Sequence, residues 1–415
     1  MNNEEKNTET NVSTSVGGGS AASAIADAIK KYRPTSGSGS SESGMKKLLI
    51  IIIVLTIILV ILLAIFSGAS KPKKGITYSD REDLMSDAAR KFFSANKKYL
   101  PKTNGGTVEI SAQKLINESY LDANYAPSTC TGKVVVQNND DSFIYIPYLD
   151  CGSAYKTTQF YRKITENKNI VTSGNGLYNE DGTYVFKGDT VNNHVELGHA
   201  TWRIVKVTSD NEVVLALDKF DNNYNPYTTY PWDDRLNADR DTDSASGSGI
   251  NNFNISRIKD SLKTYLDTPL GDGTERLIDK NIRGHIVDHQ YCIGKRGYDD
   301  GTKNMSVECS EVSEPLEVGL LTVSEFMDAS LDGNCNRTVS DLCQNYNYLN
   351  ETGYNWWTIT ADGTNSYRAY YVSSNGSVSS SPASTYRNIR PVIYLDSKTM
   401  FKSGNGTEDK PYKIK

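Results

Sequence analysis

No cysteine precedes Cys130 in this 415-residue chain and none follows Cys343; the six lie at 130, 151, 292, 309, 335 and 343. Their spacing supplies no CxxC pair and no nearby histidine set, which excludes the usual cysteine-based zinc sites and leaves disulfides as the reading. An excess of basic charge is missing too. Lys and Arg total 45 against 50 Asp and Glu, a formal net charge of -5 with no basic patch, so nucleic acid is excluded as a partner. The chain also lacks a Ser-His-Asp order, a nucleophile elbow, a phosphate loop, a dinucleotide fingerprint and any internal repeat.

What it does contain is an apolar run at 48–66 (LLIIIIVLTIILVILLAIF), broken only by Thr56. A helix of that length is about 28 Å long, close to the hydrocarbon thickness of a bilayer. Lys46 and Lys47 precede it and Lys71, Lys73 and Lys74 follow, so the flanking charges do not orient it. Cysteine placement does: an even set confined to the far side reads as disulfides formed in an oxidising compartment. The expectation is a cell-membrane protein, single-pass, with a cytoplasmic N-terminus and extracellular C-terminal domains. Met45-Lys46-Lys47 and Ser67-Gly68-Ala69 also have the character of a cleavable signal peptide, but the run is longer than such segments use and 44 residues precede Met45. Residues 1–44, rich in Asn, Thr, Ser and Gly, are expected to be a disordered tail, 45–67 a signal anchor and 68–78 a linker.

Beyond the linker, Ser79 and Glu82 have capping-box spacing, and Leu84, Met85, Ala88, Ala89, Phe92 and Phe93 recur at helical intervals until Pro101. A shorter helix is expected from about Ser111. Strand-like runs at 133–137 and 143–148 flank Asn138-Asn139-Asp140-Asp141, a hairpin turn. That hairpin brings Cys130 to Cys151, and their disulfide closes a small α/β domain at 79–160. Together with TVEISAQKLINESYLD at 107–122, this region resembles the headpieces of type IV pilins and pseudopilins. The leader and the acidic residue early in the apolar helix that such proteins carry do not occur here, so the resemblance implies a tethered stalk rather than a filament subunit.

From 173 to 415 the pattern changes to short strands and turns, with β character at 184–187, 195–197, 202–207, 213–217, 356–360, 369–373 and 390–395. An amphipathic helix is expected at 254–266, and a strand entering a helix at 320–329. The strings ATWRIVKV, YPWDDRLN, NISRIKDSL, YCIGKR, VGLLTVSEFMDAS, NYNYL, WWTITAD, IRPVIYL and SGNGTEDKPYKI follow one another in an order that resembles a family of uncharacterised bacterial surface domains. The resemblance implies a C-type-lectin-like fold, similar in shape to the formylglycine-generating enzymes. The cysteine pair on which those oxidases depend has no counterpart after Cys343, and neither the Glu-Pro-Asn nor the Gln-Pro-Asp loop of calcium-dependent lectins occurs.

Three constellations remain. The string at 224–235 (YNPYTTYPWDDR) mixes Tyr224, Tyr227, Tyr230 and Trp232 with Asp233 and Arg235, residue types that dominate binding hot spots. Asp239, Asp241 and Asp243 alternate as in calcium loops, although Ser244 and Ile250 stand where an EF-hand has Gly and Glu. His285 and His289, with Asp288 between, have the spacing of a zinc-binding helix but lie in a run that alternates like a strand. Neighbourhood pairs Cys292 with Cys309 and Cys335 with Cys343. The sequence as a whole predicts an α+β protein: a transmembrane helix, a pilin-like stalk and a C-type-lectin-like head of short strands with two helices. The expected partners are the bilayer, through 48–66, and an extracellular protein or glycan ligand. No cofactor is expected beyond calcium at the aspartates. A minor pilin-like component of a secretion apparatus and a wall-active enzyme are the alternatives.

Overall fold

The computed structural model describes residues 76–139, 142–218, 229–235, 249–270, 275–350 and 353–415. The expected tail, the apolar run at 48–66 and residues 68–75 of the linker lie outside the described residues. Among those residues no helix is long and apolar enough to cross a membrane.

Secondary structure corrects the α+β reading with its transmembrane helix: the described residues are mostly antiparallel β-sheet with few helices. Among the described residues only Tyr78–Ala95 is a helix of several turns. The helical pattern expected at 254–266 yields the short helix Arg257–Lys263, and that at 320–329 yields Val323–Asp328. The described residues of the head contain a third short helix, Lys280–Arg283, where two were expected. Tertiary packing limits them, because Pro269, Gly319 and the adjoining strands take over the chain on either side.

The cap of the long helix, Thr77, lies two residues before the expected one, Ser79. Thr77 Oγ1 accepts from the Asp80 amide at 3.1 Å and Asp80 Oδ2 accepts from the Thr77 amide at 2.8 Å, a complete capping box. Glu82 is drawn inward instead. Met85, Ala88, Ala89, Phe92 and Phe93 form the buried stripe, packed on a three-stranded antiparallel sheet of Thr107–Ser111, Thr131–Asn139 and Ser142–Asp150. The hairpin register places Thr131 opposite Asp150, which leaves the flanking Cys130 and Cys151 side by side, and they are joined. Cys292 with Cys309 and Cys335 with Cys343 complete the three disulfides; no cysteine is free.

A second and larger core is built by two sheets. In the eight-stranded sheet the order runs Ile286–Val287, Pro391–Leu395, Val213–Leu217, Ala200–Val207, Thr183–Lys187 and Gly176–Glu180. Gly319–Leu320 also pairs with Pro391–Leu395, and His194–Leu197 with Ala200–Val207. Val213–Leu217 is buried at every position, as an unalternating apolar run in mid-sheet must be. The five-stranded sheet runs Val378–Pro382, Arg368–Val372, Trp356–Ala361, Tyr386–Ile389 and Tyr230–Pro231, with one parallel pair, Trp356–Ala361 against Tyr386–Ile389. Trp202, Trp232, Trp356 and Trp357 are all sealed inside this core. The two cores belong to one compact unit, Ile76–Lys415, in which the Phe160 amide donates to the Thr399 carbonyl at 2.8 Å.

Candidate functional site

The expected recognition string divides at Tyr230. Tyr224 and Tyr227 lie outside the described residues, as do Asp239, Asp241 and Asp243. Tyr230 is half-buried on the short edge strand Tyr230–Pro231. Trp232, Asp233 and Arg235 are 0% exposed, so Trp232 is a core anchor and the charges of Asp233 and Arg235 do not lie on a ligand surface. Asp233 Oδ1 accepts from Arg235 Nε at 2.8 Å and from the Arg235 amide at 3.1 Å, and Arg235 Nη2 also donates to Asp233 Oδ2 and the Ile255 carbonyl. The pair neutralises itself inside the protein, so neither charge is offered to solvent. Trp232 Nε1 donates to the Thr358 carbonyl at 3.1 Å, and the Trp232 carbonyl accepts from the Ile258 amide. These residues anchor the chain to the five-stranded sheet and to helix Arg257–Lys263.

What that anchoring presents is a face that sequence reasoning missed. Arg387 stands opposite Tyr230 in register. Its guanidinium lies 3.4 Å from the Tyr371 ring centroid and 5.3 Å from that of Trp357. Tyr371 meets Trp357 edge-to-face at 6.1 Å, and Trp357 Nε1 donates to the Tyr230 carbonyl at 2.9 Å. Arg387 Nη2 donates to Ser381 Oγ at 3.1 Å, yet among the described residues no carboxylate pairs with the guanidinium. Burial lowers its pKa from the ordinary value, with Tyr371 opposing, and the group stays a cation at neutral pH. An unneutralised guanidinium stacked on the half-buried Tyr371, with Trp357 sealed behind it, can hold a carboxylate or phosphate. The signal in the sequence is the pair of strings RAYYV and TYRNI, which become neighbours only through the sheet order.

The histidine pair does not form a zinc face. His285 precedes strand Ile286–Val287 and His289 opens the next strand, His289–Cys292. His285 is enclosed, its Nδ1 3.4 Å from Thr399 Oγ1, and burial pushes its pKa down to about 4 against the opposing Asp396. His289 stacks on Tyr394 at 3.8 Å. Among the described residues no group of three or more His, Cys, Asp or Glu side chains is placed to hold a metal ion.

A second feature is a cavity of about 480 Å³ between the edge hairpin of the large sheet and helix Val323–Asp328. Its walls carry charges of both signs: Lys206 and Lys303, with Glu180, Glu325 and Asp328. Lys206 Nζ lies 2.9 Å from Glu325 Oε1, and Lys187 Nζ lies 2.5 Å from both Asp328 Oδ1 and Glu180 Oε1. Burial raises the Asp328 pKa, with Lys187 opposing, whereas burial lowers that of Lys303. Lysines in otherwise apolar strands, as in TYVFK and ATWRIVKV, were the available signal for this cluster.

No curated protein and no solved structure matches the chain. Residues 277–397 are similar to one family, described as a domain of unknown function (DUF6273), a span that includes Trp357, Tyr371 and Arg387 but not Tyr230.

Proposed function

We propose that the protein is a recognition protein of the bacterial cell surface. It is attached to the membrane through 48–66, with a cytoplasmic N-terminus, and its outer part binds a protein or glycan ligand without catalysis. The observation that carries this reading is Arg387, whose guanidinium lies on Tyr371 with no carboxylate partner among the described residues. Such a group is suited to a ligand that places an acidic substituent beside a flat or apolar face. Three disulfides and no free cysteine support an oxidising location.

The test is an array of neutral and acidic glycans probed with the purified full chain in detergent. Acid-bearing glycans should be retained by the wild type. Arg387→Ala should weaken retention about tenfold or more, since a hydrogen bond to a charged group contributes roughly 1.5–3 kcal/mol. Arg387→Lys should restore only part, because the ammonium lacks the planar fork. Equal retention by wild type and Arg387→Ala overturns the assignment of this face, and a surface-protein pull-down with the same variants tests the protein-ligand arm.

A further inference from the structure

The three side chains Lys187, Asp328 and Glu180 meet in a way that goes beyond an ordinary ion pair. Lys187 ends strand Thr183–Lys187, Asp328 ends helix Val323–Asp328, and Glu180 ends the neighbouring strand Gly176–Glu180. The lysine and the aspartate are each only 15% exposed, and Glu180 is 44% exposed. Main-chain bonds set the approach, not the charges alone. The Gly188 amide donates to the Ala329 carbonyl at 2.9 Å and the Tyr348 amide donates to the Gly188 carbonyl at 2.7 Å, so the residues following Lys187 and Asp328 are already tied together. Gly188 has φ +108, and a Cβ there would lie 2.0 Å from Asn175 Oδ1, so glycine is needed at this junction.

We infer that Lys187 and Asp328 condense to a side-chain amide, with Glu180 carrying the proton, so that the mature protein holds an internal cross-link between the edge hairpin and the helix. The Lys187 Nζ to Asp328 Cγ bond forms, the Cγ–OH bond breaks, and one water leaves. Nitrogen, carbon and oxygen keep their oxidation states, so no oxidant, reductant or activating nucleotide is required. The amine must first lose a proton. Burial works to lower the Lys187 pKa, but Asp328 and Glu180 outweigh it and the net direction is up. Release therefore has to occur within the triad, from Nζ to the Glu180 carboxylate, whose exposure lets it return that proton to solvent. Asp328 is held toward the neutral acid that an amine can attack, because burial raises its pKa. Amide formation between dilute groups in water is unfavourable; holding the two groups in contact removes the entropic cost of bringing them together, which in rate terms amounts to effective molarities on the order of 10⁵ M or more.

The neighbouring pair shows what the triad adds. Lys206 Nζ is also 2.9 Å from a carboxylate, that of Glu325, in a buried setting. Glu325 Oε2, however, is committed to the helix cap, accepting from the Thr322 amide at 2.9 Å and from Thr322 Oγ1 at 3.0 Å. Among the described residues no second carboxylate lies within ion-pair distance of Lys206 to take its proton. That pair stays ionic and is the internal control.

Intact mass spectrometry of the fully reduced and denatured full chain decides the matter. The expected mass is below the sequence mass by one water, and a tryptic digest should contain a branched peptide joining Lys187 to Asp328 with no cleavage after Lys187. Lys187→Arg should restore the sequence mass, Glu180→Gln should leave much of the protein unjoined, and Lys206→Arg should keep the water loss. A wild-type chain at its sequence mass and cleaved after Lys187 overturns the inference. So does a water loss that persists in Lys187→Arg. The wild-type measurement alone is decisive, so a variant that fails to fold does not leave the question open.

Discussion

Glu82 and Lys415, 333 positions apart, form an ion pair closed off from solvent. Glu82 is 0% exposed and also accepts from Tyr155 Oη at 2.8 Å and from Thr157 Oγ1. The pair joins the long helix of the first core to the C-terminal segment that closes the second. Burial lowers the Lys415 pKa, with Glu82 opposing. Replacing the lysine by Met strands a buried carboxylate, so Lys415→Met should destabilise by roughly 3–5 kcal/mol. Glu82→Gln/Lys415→Met should cost less than the sum of the two single changes. Urea denaturation of the four proteins in a double-mutant cycle measures this, and strict additivity would show that the two residues do not act as a pair.

The same pair shows where legibility in the sequence ends. Glu82 has capping-box spacing from Ser79, and so does Asp80 from Thr77; both frames obey the local rule. Glu82 is instead drawn inward by Tyr155, Thr157 and a lysine at the far end of the chain, none of which local spacing reveals. Strand positions were more legible. Val213–Leu217 is a continuous apolar run, and the hairpin that joins Cys130 to Cys151 follows from alternation around a polar turn. Helix lengths were less so, because apolar periodicity at 254–266 continues through residues that the structure turns into a 3₁₀ turn, Tyr265–Asp267. The recognition string misled for an electrostatic reason. Asp233 and Arg235 are two residues apart and pair with each other, so polar composition marked an interior knot as a surface. Arg387 on Tyr371 depends on a parallel strand pair inside a mixed sheet, an order that no run of residues displays.

The inward knot and the outward face should separate on substitution. Arg235→Met leaves the Asp233 carboxylate buried without its partner and should destabilise by roughly 3–5 kcal/mol. Arg387→Ala removes a half-exposed cation–π contact and should cost only about 0.5–1 kcal/mol. Chemical denaturation gives both values. If Arg387→Ala proved as damaging as Arg235→Met, the guanidinium would be part of the scaffold and its loss of ligand retention would be uninformative.

The disulfides differ in the chain they close. Cys130 and Cys151 are 21 positions apart, whereas Cys335 and Cys343 are 8 apart. On loop-entropy grounds, paired Cys→Ser replacement should destabilise by about 3 kcal/mol at the first bridge and about 2.5 kcal/mol at the second. Equilibrium unfolding of the two double variants reads this ranking. A much larger loss at Cys335 and Cys343, both fully buried, would mean that packing of the sulfurs outweighs chain entropy there.

Acid should weaken the fold through its enclosed histidines. Burial holds the His285 pKa down at about 4, below its usual value of 6.5, with Asp396 opposing. His194 is also lowered, by burial and then by Arg203, against Asp218. Between the folded and unfolded values the unfolded chain binds the extra proton, so stability rises with pH there. The contribution of His285 is fully present above about pH 6.5 and falls away as pH drops toward 4, a loss of about 3 kcal/mol at most. Below pH 4 both states carry the proton and this residue adds no further slope. Unfolding free energy measured from pH 7 to pH 4 should therefore decline, and His285→Asn should flatten the decline without abolishing it, because His194 titrates in the same direction. An unchanged slope in His285→Asn would show that His285 is accessible enough to protonate in the folded protein.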